Sequence, residues 1–285
     1  MFELSISIVL YKNNVHQLEQ LIDSISKTSL SPRIYFIDNS PTNALKKSLG
    51  SIREENVEYI FTGRNLGYGA AHNIAMKRAI CQNKYHLVLN PDVNFGKGVL
   101  EEIISYMELN DQVGQLIPKV LYPNDSLQYV CKLIPTPFNL LSRLFSIPLL
   151  KKYDQKFELR FSGYNKIMNA PYLHGCFMLL RSSALKEMGL FDERFFMYPE
   201  DIDLNRRMHK KYKTVFYPYV HVYHEHTKSS FKNIRMFLIH LYNMIKYFNK
   251  WGWFFDEERK KINQAVLQQL NYKIDVNKQA RIIYH

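Results

Sequence analysis

The apolar positions of the first ninety residues switch repeatedly between two spacings. Leu4–Leu10 is a short, mostly apolar run that reads as a core strand, and Val15, Leu18, Leu21, Ile22 and Ile25 then recur at helical spacing over 15–26. A second strand is predicted at 33–37, closing on Asp38-Asn39-Ser40-Pro41, a polar turn suited to capping a following helix. A third strand covers Val57–Phe61, and a glycine-bearing loop leads from it into a helix over about 70–81. The fourth strand, Tyr85–Leu89, stops at Asn90-Pro91-Asp92. This alternation predicts an α/β fold with a mostly parallel central sheet covered by helices on both faces.

The rhythm is lost over 120–171, where Pro123, Pro135, Pro137, Pro148 and Pro171 interrupt short apolar pieces. An irregular, mobile insertion is expected there, placed to cover a site or touch a membrane. Strand character returns at 172–181, and 200–211 is expected to be helical. There is no internal repeat. The predicted organisation is therefore a catalytic-type α/β unit at 1–227 and a helical extension at 228–285.

Composition narrows the classes. With 285 residues, 46% hydrophobic and 22% charged, the chain has ordinary globular usage, which excludes a disulfide miniprotein and a disordered polymer. Cys81, Cys131 and Cys176 lie 50 and 45 residues apart, so they form no CxxC pair; buried thiols in a reducing compartment are expected. The first residues carry no basic segment ahead of the apolar run, and no apolar stretch approaches the roughly 18 residues of a membrane span. A cytoplasmic protein is expected.

The net charge of +12 calls for an anionic partner. Residues 228–285 hold eleven Lys and Arg against four Asp and Glu, interleaved with nine Phe, Tyr and Trp between 231 and 255. Basic and aromatic side chains together suit peripheral contact with an anionic membrane on the inner face of the cytoplasmic membrane, and equally a solvated tail packed on the domain. Nucleic acid is the competing polyanion, but no DNA- or RNA-reading motif is present and the basic excess lies at one end, so nucleic acid is not the expected partner.

Candidate chemistry converges on one edge of the predicted sheet. Asp38, Asn65 and Asp92 each fall just after a strand, where open α/β sheets bind ligands. Residues 64–73 form a tight loop entering a helix; the Gly67-Tyr68-Gly69 stretch matches the dinucleotide fingerprint only weakly, because His72 stands where its third glycine belongs. Asp92 offers a single carboxylate on a stiff turn, sufficient for a cation that also takes phosphate oxygens. At 191–204 an aromatic run meets Glu200, Asp201 and Asp203 at the start of a helix. The helix dipole and an i,i+4 pair with Arg207 account for Asp203, whereas a carboxylate beside bulky apolar residues suits a general base, which the helix N-terminus keeps ionised. His221, His224 and His226 read either as surface-strand residues or, at His224, as a metal or phosphate contact, with Lys228 and Ser229 close by.

Taken in order, these motifs resemble the family 2 glycosyltransferases of GT-A fold, in particular the bacterial rhamnosyltransferase-like branch. The resemblance rests on Ile8 to Asn13, Ile37-Asp38-Asn39-Ser40, Asn65 to Gly69 with Asn73, Asn90-Pro91-Asp92, His174 to Met178, Gly189 to Glu193, Glu200 to Asp203, and His224 with Ser229. It implies that Asp38 reads the nucleotide base and that Tyr11, Asn65, Gly67 and Asn73 shape the donor pocket. It further implies that Asp92 and His224 hold Mg²⁺ or Mn²⁺ at the donor diphosphate, and that Asp201 is the catalytic base supported by Glu200, Asp203 and Ser229. Many relatives carry Asp-x-Asp where this chain has Asn90, which removes one carboxylate from the metal site. The implied reaction is inverting transfer of rhamnose from dTDP-rhamnose to a saccharide or lipid-linked acceptor in lipopolysaccharide, O-antigen or capsule synthesis. A UDP-hexose donor, or a non-catalytic nucleotide-sugar binder, are the alternatives. The enzymatic reading requires Asp38, Asp92 and Asp201 to meet at one crevice.

Overall fold

A computed structural model describes residues 3–49, 55–139, 151–225 and 234–272. In chain order the first elements are β1 (Leu4–Leu10), α1 (Val15–Ser26), β2 (Arg33–Asp38), α2 (Leu45–Leu49), β3 (Val57–Phe61) and α3 (Tyr68–Ala79). They are followed by β4 (Tyr85–Leu89), β5 (Val93–Phe95), α4 (Val99–Glu108), β6 (Val113–Leu121), β7 (Cys131–Lys132) and α5 (Lys151–Phe157). The chain continues through β8 (Met168–Asn169), β9 (Tyr172–Leu173), β10 (Phe177–Arg181), α6 (Ser182–Met188), α7 (Pro199–His209) and β11 (Lys213–His224). Two helices, α8 (Ile234–Trp251) and α9 (Glu257–Gln269), form the extension. No helix among the described residues is long and apolar enough to cross a membrane.

The main sheet runs β3-β2-β1-β4-β10-β6-β11-β5, with β8 added on β11. Its first four strands are parallel, β10 runs antiparallel between β4 and β6, and β6 and β11 are again parallel. Register fixes what stands at the edge. Leu10 pairs with Asp38 and Asp38 with Phe61, while Leu89 pairs with Ile8 and Phe177. Asp38, Asn90 and Cys176 therefore all emerge at the same end of the sheet.

Both faces of the sheet are covered, as the strand-helix alternation predicts. Ile6, Ile8 and Leu10 pack with Leu18 and Leu21 of α1 and Ile103 of α4. On the other face, Val88 and Met178 pack with Met76 of α3 and Leu204 of α7. Ser5 and Ser7 lie buried with two histidines: Ser5 Oγ is 2.7 Å from His86 Nδ1, and Ser7 Oγ is 2.9 Å from His86 Nε2 and 2.7 Å from His72 Nδ1. Burial lowers the pKa of His86 to about 3 and holds that of His72 well below the usual imidazole range, with His86 adding to the shift at His72.

Several expectations are revised. The polar turn at 38–41 caps no helix, because α2 starts only at Leu45; the Asp38 carboxylate instead accepts from Ser40 N at 2.8 Å and closes its own turn. The expected strand at 172–181 is split into β9 and β10 by His174-Gly175-Cys176, which leaves the ladder to reach α7. Within 120–171, described pieces are packed: β7 pairs with β9, β8 with β11, and the Tyr164 hydroxyl sits 2.7 to 3.1 Å from Cys131 N, Cys131 O and Glu158 O. Residues 140–150 of that segment lie outside the described residues. Cys131 and Cys176 are buried as expected, but Cys81, in the turn after α3, is exposed.

The extension shares the core. Met244, Tyr247 and Phe248 of α8 pack with Tyr172, Phe195 and Ile202, and Val266 and Leu267 of α9 join the main cluster. Arg206 of α7 makes two 2.7 Å hydrogen bonds to Asp256 and lies over the Trp251 ring at 4.1 Å.

Candidate active site

A chain of hydrogen bonds runs along the sheet edge where the strands deliver their carboxyl ends. Asn39 donates through Nδ2 to the Gly67 carbonyl at 3.1 Å, and Asn65 Oδ1 accepts from Gly67 N at 2.9 Å. The next residue, Tyr68, receives no freedom either: its amide donates to Phe196 O at 3.0 Å, and its hydroxyl donates to Gly175 O at 2.7 Å while standing 3.0 Å from Asn90 Oδ1. Gly175 N donates to Asp201 Oδ2 at 3.0 Å. The segments carrying Asp38, Asn65, Asn90 and Asp201 are thus tied into one edge. Two glycines make the approach possible. Gly67 has φ of 85°, and a Cβ there would lie 2.2 Å from Phe196 O; a Cβ on Gly175 would lie 3.2 Å from Asp201 Oδ2.

Burial dominates the acids of α7. Glu200 and Asp201 are 4% and 6% exposed, adjacent in sequence, and preceded by the apolar 195–199 segment. Burial, and then the neighbouring Asp201, drive the Glu200 carboxyl well above the usual range, and its Oε2 is buried without a hydrogen-bond partner. Burial also raises Asp201 to about 7, despite the opposing hydrogen bonds from Ile202 N and Gly175 N. The expectation that the helix N-terminus keeps Asp201 ionised is corrected: desolvation outweighs the dipole, leaving a proton acceptor poised near neutral pH. Tyr198, which enters the helix with φ of 91°, holds a backbone conformation uncommon for a non-glycine residue.

Asp203 points to a different neighbourhood. It is fully buried, pairs with Arg207 at 2.9 Å as the i,i+4 spacing predicts, and also binds Lys250 Nζ at 2.5 Å and Trp251 Nε1 at 2.8 Å. It fastens α7 to α8. Asn73, expected in the donor pocket, spends its amide on Phe191 N, Phe191 O and Glu193, because it lies one turn inside α3 and beneath the 191–193 segment. Tyr11, by contrast, is 47% exposed just beyond β1, and Asn65, within the chain of bonds, is also exposed. Asp38 is fully buried, its second oxygen accepting from the Tyr59 hydroxyl. Ser229 and His226 lie outside the described residues.

Asp92 and His224 are brought together by the pairing of β5 with the end of β11. His224 Nε2 stands 3.4 Å from Asp92 Oδ1, and His224 Nδ1 lies 3.0 Å from Gln128 Oε1; Gln128 Nε2 in turn donates to His224 O at 2.7 Å. Burial works against charge on His224, yet Cys176 and Asp92 beside it outweigh burial and raise it to about 10. Asp92 Oδ1 is buried without a conventional hydrogen-bond donor, so an imidazole held by Gln128 and an unsatisfied carboxylate oxygen fit a divalent cation. Gln128 and Tyr59 were not singled out by the sequence; their partners lie 96 and 21 residues away, beyond any local signal.

The profile of the family described as "Glycosyl transferase family 2" matches residues 5–189. The chain belongs to that family. Among curated family members, the chain is 28% identical over 243 residues to the N-acetylglucosaminyl-diphospho-decaprenol L-rhamnosyltransferase of Mycobacterium tuberculosis, covering 78% of this chain and 76% of the relative. It is 26% identical over 216 residues to the low-salt glycan biosynthesis hexosyltransferase Agl10 of Haloferax volcanii, covering 73% and 62% respectively. Solved structures share the fold. GalNAc-T7, crystallised with UDP, GalNAc and Mn²⁺, gives a TM-score of 0.59 at 16% identity over 78% of this chain and 43% of its own. Residues 1–349 of Staphylococcus aureus TarS give 0.53 at 15% identity over 84% and 64%. The family 2 chain is therefore a GT-A glycosyltransferase.

Proposed function

We propose that this glycosyltransferase transfers L-rhamnose from dTDP-rhamnose to a lipid-linked saccharide by a single inverting displacement. The acidic pair at the head of α7 carries the reading: Asp201 is buried, hydrogen-bonded from Gly175 N, and raised by burial to about 7. Its carboxylate accepts the proton of the acceptor hydroxyl while that oxygen bonds to the anomeric carbon; the bond to the nucleoside diphosphate breaks on the opposite face, and its electron pair leaves with the diphosphate. Glu200, kept neutral, leaves Asp201 as the anion of the pair. Asp92 and His224 are the residues that would hold Mg²⁺ or Mn²⁺, and the cation would supply counter-charge to a diphosphate leaving group. Tyr11, Asn65 and Gly67 line the nucleoside end, with Asp38 fixing the turn beneath it.

The mycobacterial relative supports rhamnose and a prenyl-diphosphate acceptor, and two surfaces support a lipid. Ile234, Leu238, Tyr242 and Ile245 form an exposed stripe on α8, and Phe254 and Phe255 are 77% and 98% exposed. A groove of about 600 Å³ between the 120–171 segment and α9 is lined by Ile134, Phe138, Phe157 and Phe255 together with Lys156 and Lys260, apolar walls with cations suited to a lipid diphosphate. These features support peripheral attachment to an anionic inner leaflet, and the mycobacterial relative supports a role in the synthesis of a surface polysaccharide. The deciding experiment supplies the full chain, with Mg²⁺ or Mn²⁺, with dTDP-rhamnose or UDP-hexoses and a prenyl-diphosphate-linked N-acetylglucosamine. Rhamnosylated lipid is expected; hexosylated lipid alone moves the reading to a UDP-hexose donor, and neither product, with no donor hydrolysis, overturns it.

A further inference from the structure

The turn that interrupts β9 and β10 places a thiol and a second imidazole beside His224. Donor atoms of His174, Cys176 and His224 all lie within 4.8 Å of one another, with Cys176 and His224 buried. The two imidazole rings have centroids 5.9 Å apart, and Cys176 N is 3.3 Å from His174 Nδ1. His224 also stands 3.4 Å from Asp92 Oδ1, which is buried without a hydrogen-bond donor. One sulfur and two imidazole nitrogens thus converge from two stretches of chain, the 174–176 turn and the end of β11, with the Asp92 carboxylate beside His224.

These donors suit a different ion from the hard cation of a diphosphate. Mg²⁺ takes oxygen ligands and keeps its waters, whereas a thiolate with imidazoles selects borderline-soft ions, Zn²⁺ first among those available to cells. A tetrahedral zinc site holds its donors about 3.5 Å apart, so the cluster needs to contract by roughly an ångström, within the reach of side-chain rotation on a three-residue turn. We propose that His174, Cys176 and His224, with Asp92, form a Zn²⁺ site that overlaps the position of the diphosphate cation. Zinc binding there displaces the thiol proton and takes Asp92 and His224 away from donor binding, so Zn²⁺ and the nucleotide-cation complex exclude one another. The overlap rests on the glycosyltransferase reading of Asp92 and His224; the zinc site itself does not.

Co²⁺ is the probe, titrated into the full chain without nucleotide. An intense near-ultraviolet thiolate-to-cobalt band, with visible bands of tetrahedral strength, is expected at one equivalent and is expected to bleach on adding one equivalent of Zn²⁺. Cys176→Ser removes the near-ultraviolet band, and Cys81→Ser and Cys131→Ser keep it. His174→Ala, a second variant against misfolding of the first, weakens Co²⁺ at least about tenfold, the scale for losing part of a metal's environment. No thiolate band in the wild type, or a band that survives Cys176→Ser, overturns the zinc site. Binding of dTDP and UDP with Mg²⁺, measured separately by calorimetry, tells the two readings apart. Nucleotide binding without the cobalt band sinks only the zinc site, and the band without nucleotide binding sinks only the donor reading.

Discussion

Asp201, the base proposed above, lies inside the protein while touching the sheet edge. With the folded pKa raised to about 7, the reactive anion is lost as pH falls, so kcat/KM is expected to drop about tenfold per pH unit below a midpoint near 7. Asp201→Asn should lower kcat about 100-fold or more and abolish that acid limb while donor affinity stays near wild type; a limb that persists in the variant removes Asp201 from the role of base. Gln128 tests the cation pair from behind. Gln128→Ala frees the His224 ring from its 3.0 Å partner and should weaken Mn²⁺ about 10- to 100-fold in a calorimetric titration. The acids of α7 were legible in the sequence because an aromatic run meeting three carboxylates has few structural explanations. Gln128 was not, since its neighbours show nothing that distinguishes it from any half-buried amide. Asn73 was legible as important but misplaced, because a motif position carries no information about which side of a helix it serves.

At the scale of elements, strand and helix boundaries of the first ninety residues were written plainly in apolar spacing, and β1 to β4 appear where that spacing places them. The misreading at 172–181 lies where tertiary contacts override local pattern, since the turn at 174–176 interrupts a run that reads as one strand; Ser5 and Ser7 of the core strand β1 are buried against histidines 81 and 65 residues away. That buried Ser-His chain makes a stability prediction. His86 has a folded pKa of about 3 against 6.5, so the unfolded chain binds the extra proton, and the contribution present above pH 6.5 is lost as pH falls towards 3. Asp201 acts oppositely, its raised pKa favouring the fold below about 3.8 and withdrawing that support as pH rises through 7. Comparing His86→Gln with wild type cancels the Asp201 share. In urea melts, the wild type should lose about 2 kcal/mol relative to the variant between pH 6.5 and 5; parallel pH profiles would show the imidazole to be ordinary. Gly67→Ala, at φ of 85° and 2.2 Å from Phe196 O, should cost about 1–3 kcal/mol and weaken nucleotide binding, since it parts the loop from the segment leading into α7.

Across the whole molecule, the basic excess suggested a tail of either kind, membrane-bound or packed, and the described helices are packed on the domain while leaving apolar side chains exposed. One face of α8 is buried in the core with Tyr172, Phe195 and Ile202, and another exposes Ile234, Leu238 and Tyr242. Composition had no means of dividing a helix into faces. Two measurements separate the roles. Asp256→Ala leaves Arg206 buried without its bidentate partner and should destabilise the protein by about 3–5 kcal/mol, read by urea denaturation. Replacing Phe254 and Phe255 by Ser should leave the melt unchanged and reduce flotation with anionic liposomes by at least about tenfold, given about 1.5–3 kcal/mol for each buried ring. Unchanged flotation would place the membrane contact elsewhere.

The ties from Asp203 to Lys250 and Trp251 reach further than stability. They join the last turn of α8 to a residue two positions from Asp201, with no hinge between. The tail is a brace for the head of α7, so that, on the proposed role of Asp201, the seating of α8 sets the bearing of the proton acceptor.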